Sequence, residues 1–391
     1  MSFWKSKPLE ITLDTNQHYK QLLPTTEILK QLNVEILNSK IHLNYILYTQ
    51  ENLSHNKLQH ILDFINKYYI VSDCKLRSLI YTYELLEFYS KNSLIIEFYP
   101  KNNKTPIGYI IGKPTNINLY NNNLPSLDVN FLCILPTLRN LKISSYMINI
   151  LTKECILKFN NISFAHYTIQ SKINSPSFCK KNFYHRLFSI ESLQQTEFLP
   201  NDINVQLFKK YFNSFDYDTN CNIEFELKYI NNDKTTDTNL IKTLYNKYLE
   251  YASNTFDIYE HISYDEFMET FYNNAFYHFI IFHKSHVVAY ICMFNIDVLH
   301  SITNVINKTG YIYYTFFDEQ KNTIFNKKNY LEFIHHFIYK NNIFDLTTFT
   351  ESLNINYNLI KSISGTGFLQ FYLFNMKLNS IENTKNGLIT I

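Results

Sequence analysis

A mixed α/β fold in two tandem halves is what this 391-residue sequence predicts. Three observations carry that expectation. First, the β-branched, aromatic and apolar run DVNFLCIL at 128–135 stops at Pro136. Apolar residues at helical spacing follow it, namely Ile143, Tyr146, Met147, Ile150 and Leu151. Second, the patterns around that switch follow the order β, α, α, β, β, β, α, β, α, a mixed sheet covered by helices. Third, a loosely similar order returns after the polar stretch NSFDYDTNCN at 213–222. The expected halves are therefore 1–212 and 213–391.

Taken in order, the chain opens with Phe3 and Trp4, then a polar segment to Pro24. A Trp at an end that should fray reads as either a surface plug or a ligand contact. Residues 26–50 predict short strands and turns. Leu58, Ile61, Leu62, Ile65 and Tyr69 lie at amphipathic helix spacing, and 80–89 reads as a second helix. Strands at 94–99 and 107–111 pair as a hairpin around Lys101-Asn102-Asn103, with 117–120 extending the sheet. The 128–135 strand and its helix follow, with Asn140 the expected N-cap. A strand at 163–170 leads to a loop at Pro176 and a short helix through Tyr184-His185-Arg186. Beyond the linker come a strand at 223–229 and a helix at 240–251. Two strands within 276–296, joined at Lys284-Ser285, precede a strand at 311–317 and a helix at 330–339. Strands near 344–349 and 369–374 end the series. The order of the first half is that of an acyl-CoA-binding acetyltransferase-like (GNAT) domain.

Composition excludes several classes. A net charge of +2 without long charge blocks gives no field to draw in nucleic acid. The six cysteines, at 74, 133, 155, 179, 221 and 292, form no C-x-x-C pair. They read as reduced thiols of a cytoplasmic protein. The N-terminus lacks an apolar signal core, and the apolar stretch 275–294 is broken by His278, His283, Lys284 and His286, so no transmembrane segment is expected. Position 2 is serine, which removes the chain itself as a candidate for glycine acylation. His283/His286 and His335/His336 lack further ligands at metal spacing, so no metal is expected. No P-loop, H-E-x-x-H or nucleophile elbow is present, and no cysteine sits in a nucleophile motif.

The 127–153 stretch holds the first chemical signal. Arg139 and Lys142 flank a helix start whose backbone N–H groups suit phosphate. An ordinary strand–turn–helix unit with two solvated cations has the same pattern. DVNFLC at 128–133 resembles the E-[I/V]-N-F-L-C signature of eukaryotic N-myristoyltransferases, and RNLKIS at 139–144 resembles the R-S-K-R-[V/L]-A that opens their next helix. KSISGTGFLQFYLFN at 361–375 is similar to their K-F-G-x-G-D-G-N-L-Q-Y-Y-L-Y-N, and GLITI at 387–391 to their G-L-V-L-[L/Q] ending. Tyr167-Thr168, Pro176 and Tyr184-His185-Arg186 resemble Y-T-A-G-V-x-L-P-x-P…R-Y-W-H-R, with one extra residue before the His-Arg pair. Phe3-Trp4 match an F-W, and Gly310–Tyr314 weakly echo A-Y-S-F-Y.

The resemblance implies a single enzymatic unit that takes myristoyl-CoA and proteins with an N-terminal glycine. It implies that Phe3, Trp4, Asn130, Phe131, Leu132, Cys133 and Ile134 line the acyl-donor site. Arg139, Asn140, Leu141, Lys142, Ile143 and Ser144 would surround the pyrophosphate. Phe131 and Leu132 N–H groups would hold the thioester oxygen. The Ile391 carboxylate would take the amine proton, provided burial brings a pKa of about 3.5 and one of about 8 together. Thr168 would hold the amine, and Asp73, Tyr81, Phe183, His185, Gly365, Gly367 and Leu369 the rest of the peptide. A monomer is expected. Departures from the pattern are Leu141 for a cation, Ile169-Gln170 for Ala-Gly, Thr366 for an Asp, and an acidic loop reduced to Asp73. They leave a second expectation, a homologue that binds acyl-CoA or lipidated peptide without turnover. An acetyltransferase for another small amine would not predict the match at 387–391.

Overall fold

The computed structural model describes residues 18–39, 41–70, 76–170, 176–215, 225–318 and 326–389. It begins with β1 (Tyr19–Gln21), α1 (Thr25–Leu37), β2 (Leu43–Tyr48), α2 (His55–Tyr68), β3 (Arg77–Tyr81) and α3 (Tyr83–Ser90). Next come β4 (Leu94–Pro100), β5 (Gly108–Leu119), β6 (Asn122–Ile134), α4 (Ile143–Lys158), β7 (Ala165–Ile169) and β8 (Cys179–Leu187). Two helices, α5 (Ile190–Gln195) and α6 (Val205–Phe212), lead to β9 (Phe225–Ile230), α7 (Thr238–Thr255), β10 (Ile258–Glu260) and α8 (Tyr264–Thr270). The chain continues with β11 (Phe276–His283), β12 (His286–His300), β13 (Ile306–Asn307), β14 (Thr309–Phe317) and α9 (Lys327–Lys340). It finishes with β15 (Leu346–Thr350), β16 (Ile363–Phe374) and β17 (Met376–Leu378).

Local chemistry explains the helix boundaries. Ser54 accepts a hydrogen bond from the Lys57 N–H at the start of α2, which buries Leu58, Ile61, Leu62 and Ile65. Thr82 caps α3 through the Leu85 N–H, and Ser263 with Glu266 forms a full capping box on α8. Lys284 and Ser285 both adopt positive φ, the two-residue turn that matches strand twist between β11 and β12.

Four local expectations are corrected. Residues 26–50 do not form only strands: α1 occupies 25–37 because Ile28 and Leu32, one turn apart, bury together. Ile80 and Tyr81 belong to a strand, and the helix starts only after the Thr82 cap. Residues 117–120 are no separate strand but the far end of β5 and the turn after it. Tyr184-His185-Arg186 is extended, not helical, because β8 finds partners on both edges, β15 and β16. Tertiary pairing there overrides local preference.

The strands form one sheet in the order β2-β4-β5-β6-β7-β16-β8-β15-β14-β12-β11-β9. Neighbours on this path are antiparallel except β6–β7 and β14–β15, which are parallel. Each parallel pair is joined by a crossover that contains a helix, α4 in one case and α9 in the other. The two halves therefore repeat one plan. Their last strands are exchanged: β16 lies beside β7, and β8 lies beside β15. A core that includes Leu86, Phe131, Phe267, Tyr290 and Tyr314 runs through both halves.

Candidate active site

Strand β6 carries an irregularity where the signature residues fall. Tyr109 faces Cys133 and Ile111 faces Asn130, so Phe131 and Leu132 oppose Ile110 alone. This is a β-bulge, and Phe131 has φ 52°. Left-handed backbone at a non-glycine residue costs of order 1–3 kcal/mol and persists only where the surroundings impose it. They do so here. The Phe131 ring packs at 5.4, 5.1 and 5.4 Å from Tyr69, Tyr81 and Tyr89. Its N–H donates to Asn130 Oδ1 at 2.9 Å, and the Tyr69 hydroxyl donates to the same oxygen at 2.9 Å.

Beyond the bulge the sheet splays. β6 and β7 pair only at Leu127–Ala165 and Asp128–His166 and then diverge. Into the gap opens a cavity of about 130 Å³, lined by Val129, Leu132, Tyr167 and Ile169 from the strands and by Ile148, Leu151, Thr152 and Cys155 from α4. Its walls are mainly apolar.

A second, larger cavity of about 570 Å³ lies on the other side of the bulge. Arg77, Leu79 and Tyr81 of β3 form one wall at strand period two. Phe183 and His185 of β8 and Ile363 to Gly367 of β16 form another, with Leu369, Phe198, Phe294, Ile296 and Tyr311 completing it. Tyr69, Asn130 and Thr168 line both cavities. A small third cavity, about 60 Å³, lies around Leu388 and Ile389 and shares Phe183, Tyr311 and Leu369 with the groove.

Glycine at 365 has a steric cause. A Cβ there would stand 2.5 Å from His185 Nε2 and 3.2 Å from the Phe183 carbonyl oxygen, and no glycine has a positive φ. His185 is itself fixed by Nδ1 contact with Thr348 Oγ1 at 2.9 Å, and burial holds its pKa down to about 4, so the ring is neutral at pH 7. Burial likewise pushes the Cys133 thiol up to about 12, which makes it an inert packing group.

The residues singled out in sequence distribute as follows. Asn130, Thr168, Tyr81, Phe183, His185, Gly365, Gly367 and Leu369 converge on the larger cavity, and Leu132 on the smaller. Cys133, Ile134 and Ile143 are core residues beside the bulge and at the α4 start. Asn140, Leu141 and Lys142 are exposed, with Asn140 and Lys142 in left-handed conformations and Ser144 in the first turn. The residue in the cap position is Lys142, not Asn140, and no side chain caps this helix. The Arg139 guanidinium donates to the carbonyls of Ile134 and Tyr68, so it staples the loop to the end of α2. Phe3, Trp4, Asp73 and Ile391 lie outside the described residues.

Sequence reading missed Tyr69 at the junction, Arg77 and Leu79 on β3, and Phe198, Phe294 and Ile296. For β3 a signal existed: Arg77, Leu79 and Tyr81 alternate, which a strand reading would have placed on one face. Among the described residues no three His, Cys, Asp or Glu side chains group as metal ligands, and no helix is long and apolar enough to cross a membrane.

A bulged central strand, a splay against its parallel neighbour and a repeat of the plan define the acetyltransferase-like class in two tandem halves. Residues 27–179 match the family model described as Myristoyl-CoA:protein N-myristoyltransferase, N-terminal domain. A glycylpeptide N-tetradecanoyltransferase of Aspergillus fumigatus is 35% identical over 95 residues, 24% of this chain and 18% of that protein. One of Mycosarcoma maydis is 26% identical over 111 residues, 28% of this chain and 15% of that protein. The matched segments thus span less than a fifth of these curated relatives. A solved Saccharomyces cerevisiae N-myristoyltransferase with bound myristoyl-CoA superposes with a TM-score of 0.79 at 15% identity, covering 100% of this chain and 99% of that one. A further structure of that yeast enzyme gives 0.78 at 16% identity, covering 93% of its chain. The chain belongs to the N-myristoyltransferase family.

Proposed function

We propose that the protein transfers myristate from myristoyl-CoA to the N-terminal glycine amine of proteins. The observation that carries this reading is the meeting of two unlike cavities at one bulge. The acyl chain occupies the apolar cavity between β6, β7 and α4, and the peptide occupies the larger groove. The thioester carbonyl lies at Phe131–Leu132, which Tyr69, Asn130 and Thr168 flank. Amine attack forms the C–N bond, breaks the C–S bond and releases CoA thiolate. Negative charge growing on the carbonyl oxygen meets the bulge N–H groups, which a regular strand would engage in its ladder. For the Phe131 N–H this requires Asn130 Oδ1 to yield its place as substrate enters. Thr168 orients the amine. The division into 1–212, supplying the acyl-donor cavity, and 213–391, supplying much of the peptide groove, is supported by the lining residues, with Phe374 of β16 crossing over. The Arg139 staple on two carbonyls supports a weakened hold on the pyrophosphate, with Lys142 and helix N–H groups contributing most of it.

The test is CoA release from myristoyl-CoA with a glycine-initiated octapeptide, beside the same peptide carrying an acetylated N-terminus. Release with the free amine alone is expected. Tight acyl-CoA binding with no release from either peptide would replace transfer by a binding module.

A further inference from the structure

Among the residues lining the larger cavity, Arg77 is the only Lys, Arg, Asp or Glu. His185, the one lining histidine, is neutral at pH 7 because burial holds it at about 4. The charge facing a peptide in this groove is therefore positive.

The position of that charge follows from strand geometry. Tyr81 stands edge-on to Phe131 at 5.1 Å, at the reacting end of the groove. Arg77 is four residues away on the same face of β3, about 13 Å at roughly 3.3 Å per residue. An extended peptide advances by about the same amount per residue. A substrate whose N-terminal glycine amine sits at Thr168 and which runs along β3 brings its residues at about positions 4–6 to Arg77.

The guanidinium is also held in place. Arg77 Nε donates to the Thr196 carbonyl at 3.3 Å, a terminal nitrogen donates to the Glu197 carbonyl, and the group lies 5.9 Å over the Phe198 ring. A cation fixed on backbone carbonyls and an aromatic face is a preorganised partner for a carboxylate and a repulsive one for an ammonium group.

We infer that the groove selects glycine-initiated peptides with an acidic side chain about four residues after the glycine, and disfavours a basic one there. This rests on the transfer reading for the location of the amine. It is a statement of substrate class, with Arg77 as the specificity-determining residue.

The experiment uses the full chain and octapeptides that differ only by Glu, Gln or Lys at positions 4, 5 and 6. Peptide Kd is read by calorimetry on protein loaded with myristoyl-CoA, and initial CoA release is followed in parallel. Glu is expected to exceed Lys by about tenfold or more in affinity at one of these positions, the gap narrowing as salt is raised. In Arg77→Glu the order is expected to reverse. Equal Kd for Glu, Gln and Lys at every position, or a preference for Lys, overturns the inference, and so does the absence of peptide binding. Graded Kd without CoA release would sink the transfer reading and keep the charge preference. CoA release that is blind to charge would do the opposite. The wild-type panel decides these outcomes even if Arg77→Glu does not fold.

Discussion

Gly365→Ala is the substitution whose effect the structure specifies most closely. The added Cβ would sit 2.5 Å from His185 Nε2, 3.1 Å from His185 Cδ2 and 3.2 Å from the Phe183 carbonyl oxygen. The carbonyl cannot retreat, because β8 is paired on both edges. The imidazole can retreat only by giving up its 2.9 Å contact with Thr348 Oγ1 and its edge-to-face contact with Phe198 at 5.3 Å. Overpacking of this kind costs about 1–3 kcal/mol. Concentrated in the groove wall, it corresponds to roughly five- to a hundredfold in peptide affinity. Peptide KM in the CoA-release assay should rise accordingly, while myristoyl-CoA Kd should change by less than about twofold, since residue 365 does not line the apolar cavity. Removing the obstruction should restore much of the loss, so Gly365→Ala/His185→Ala should bind peptide better than Gly365→Ala alone. Gly367→Ala, whose Cβ would meet only the Phe183 ring at 3.3 Å, should be milder. Unchanged peptide KM in Gly365→Ala, or an equal loss of acyl-CoA affinity, would refute the assignment of β16 and β8 to the peptide wall.

Other outcomes follow from the same geometry. Ile148→Trp, on the α4 wall of the apolar cavity, should weaken myristoyl-CoA binding by about tenfold or more in calorimetry, with circular dichroism unchanged. Burial holds His166, His185 and His278 at about 4, well below the ordinary histidine value. Depressed cationic groups stabilise the fold above the unfolded pKa and lose that contribution as pH falls. Urea midpoints should therefore drop from pH 6.5 towards 4, by up to ~1.4 kcal/mol per unit for each group. A non-titrating His278→Gln variant should flatten this slope. Lys181 is buried, its pKa pushed down to about 7 by burial, and it donates to Ser352 Oγ at 2.7 Å and the Leu388 carbonyl at 3.0 Å. Lys181→Met should release residues 386–389, seen as faster amide exchange there while α4 keeps its protection.

Much of the plan was legible because its signals are local. The switch from DVNFLCIL to helical spacing after Pro136, the Leu58 to Ile65 stripe and the Lys284-Ser285 turn each depend on neighbours within a few residues. Composition and pattern were therefore enough to place β6, α4, α2 and the β11–β12 hairpin in advance. The signature residues also pointed to one strand as the chemical centre. What local pattern could not convey was partnership. His185 reads as part of a short helix until β15 and β16 flank it, and Arg77 is one more cation until β3 faces the groove. The exchange of β8 and β16 between the halves brings Gly365 within van der Waals reach of His185, far earlier in the chain. Side-chain period and caps are properties of a segment. Strand order, the bulge at Phe131 and the two cavities arise only when distant segments compete for the same edge and the same core volume, and that competition is settled in the folded molecule.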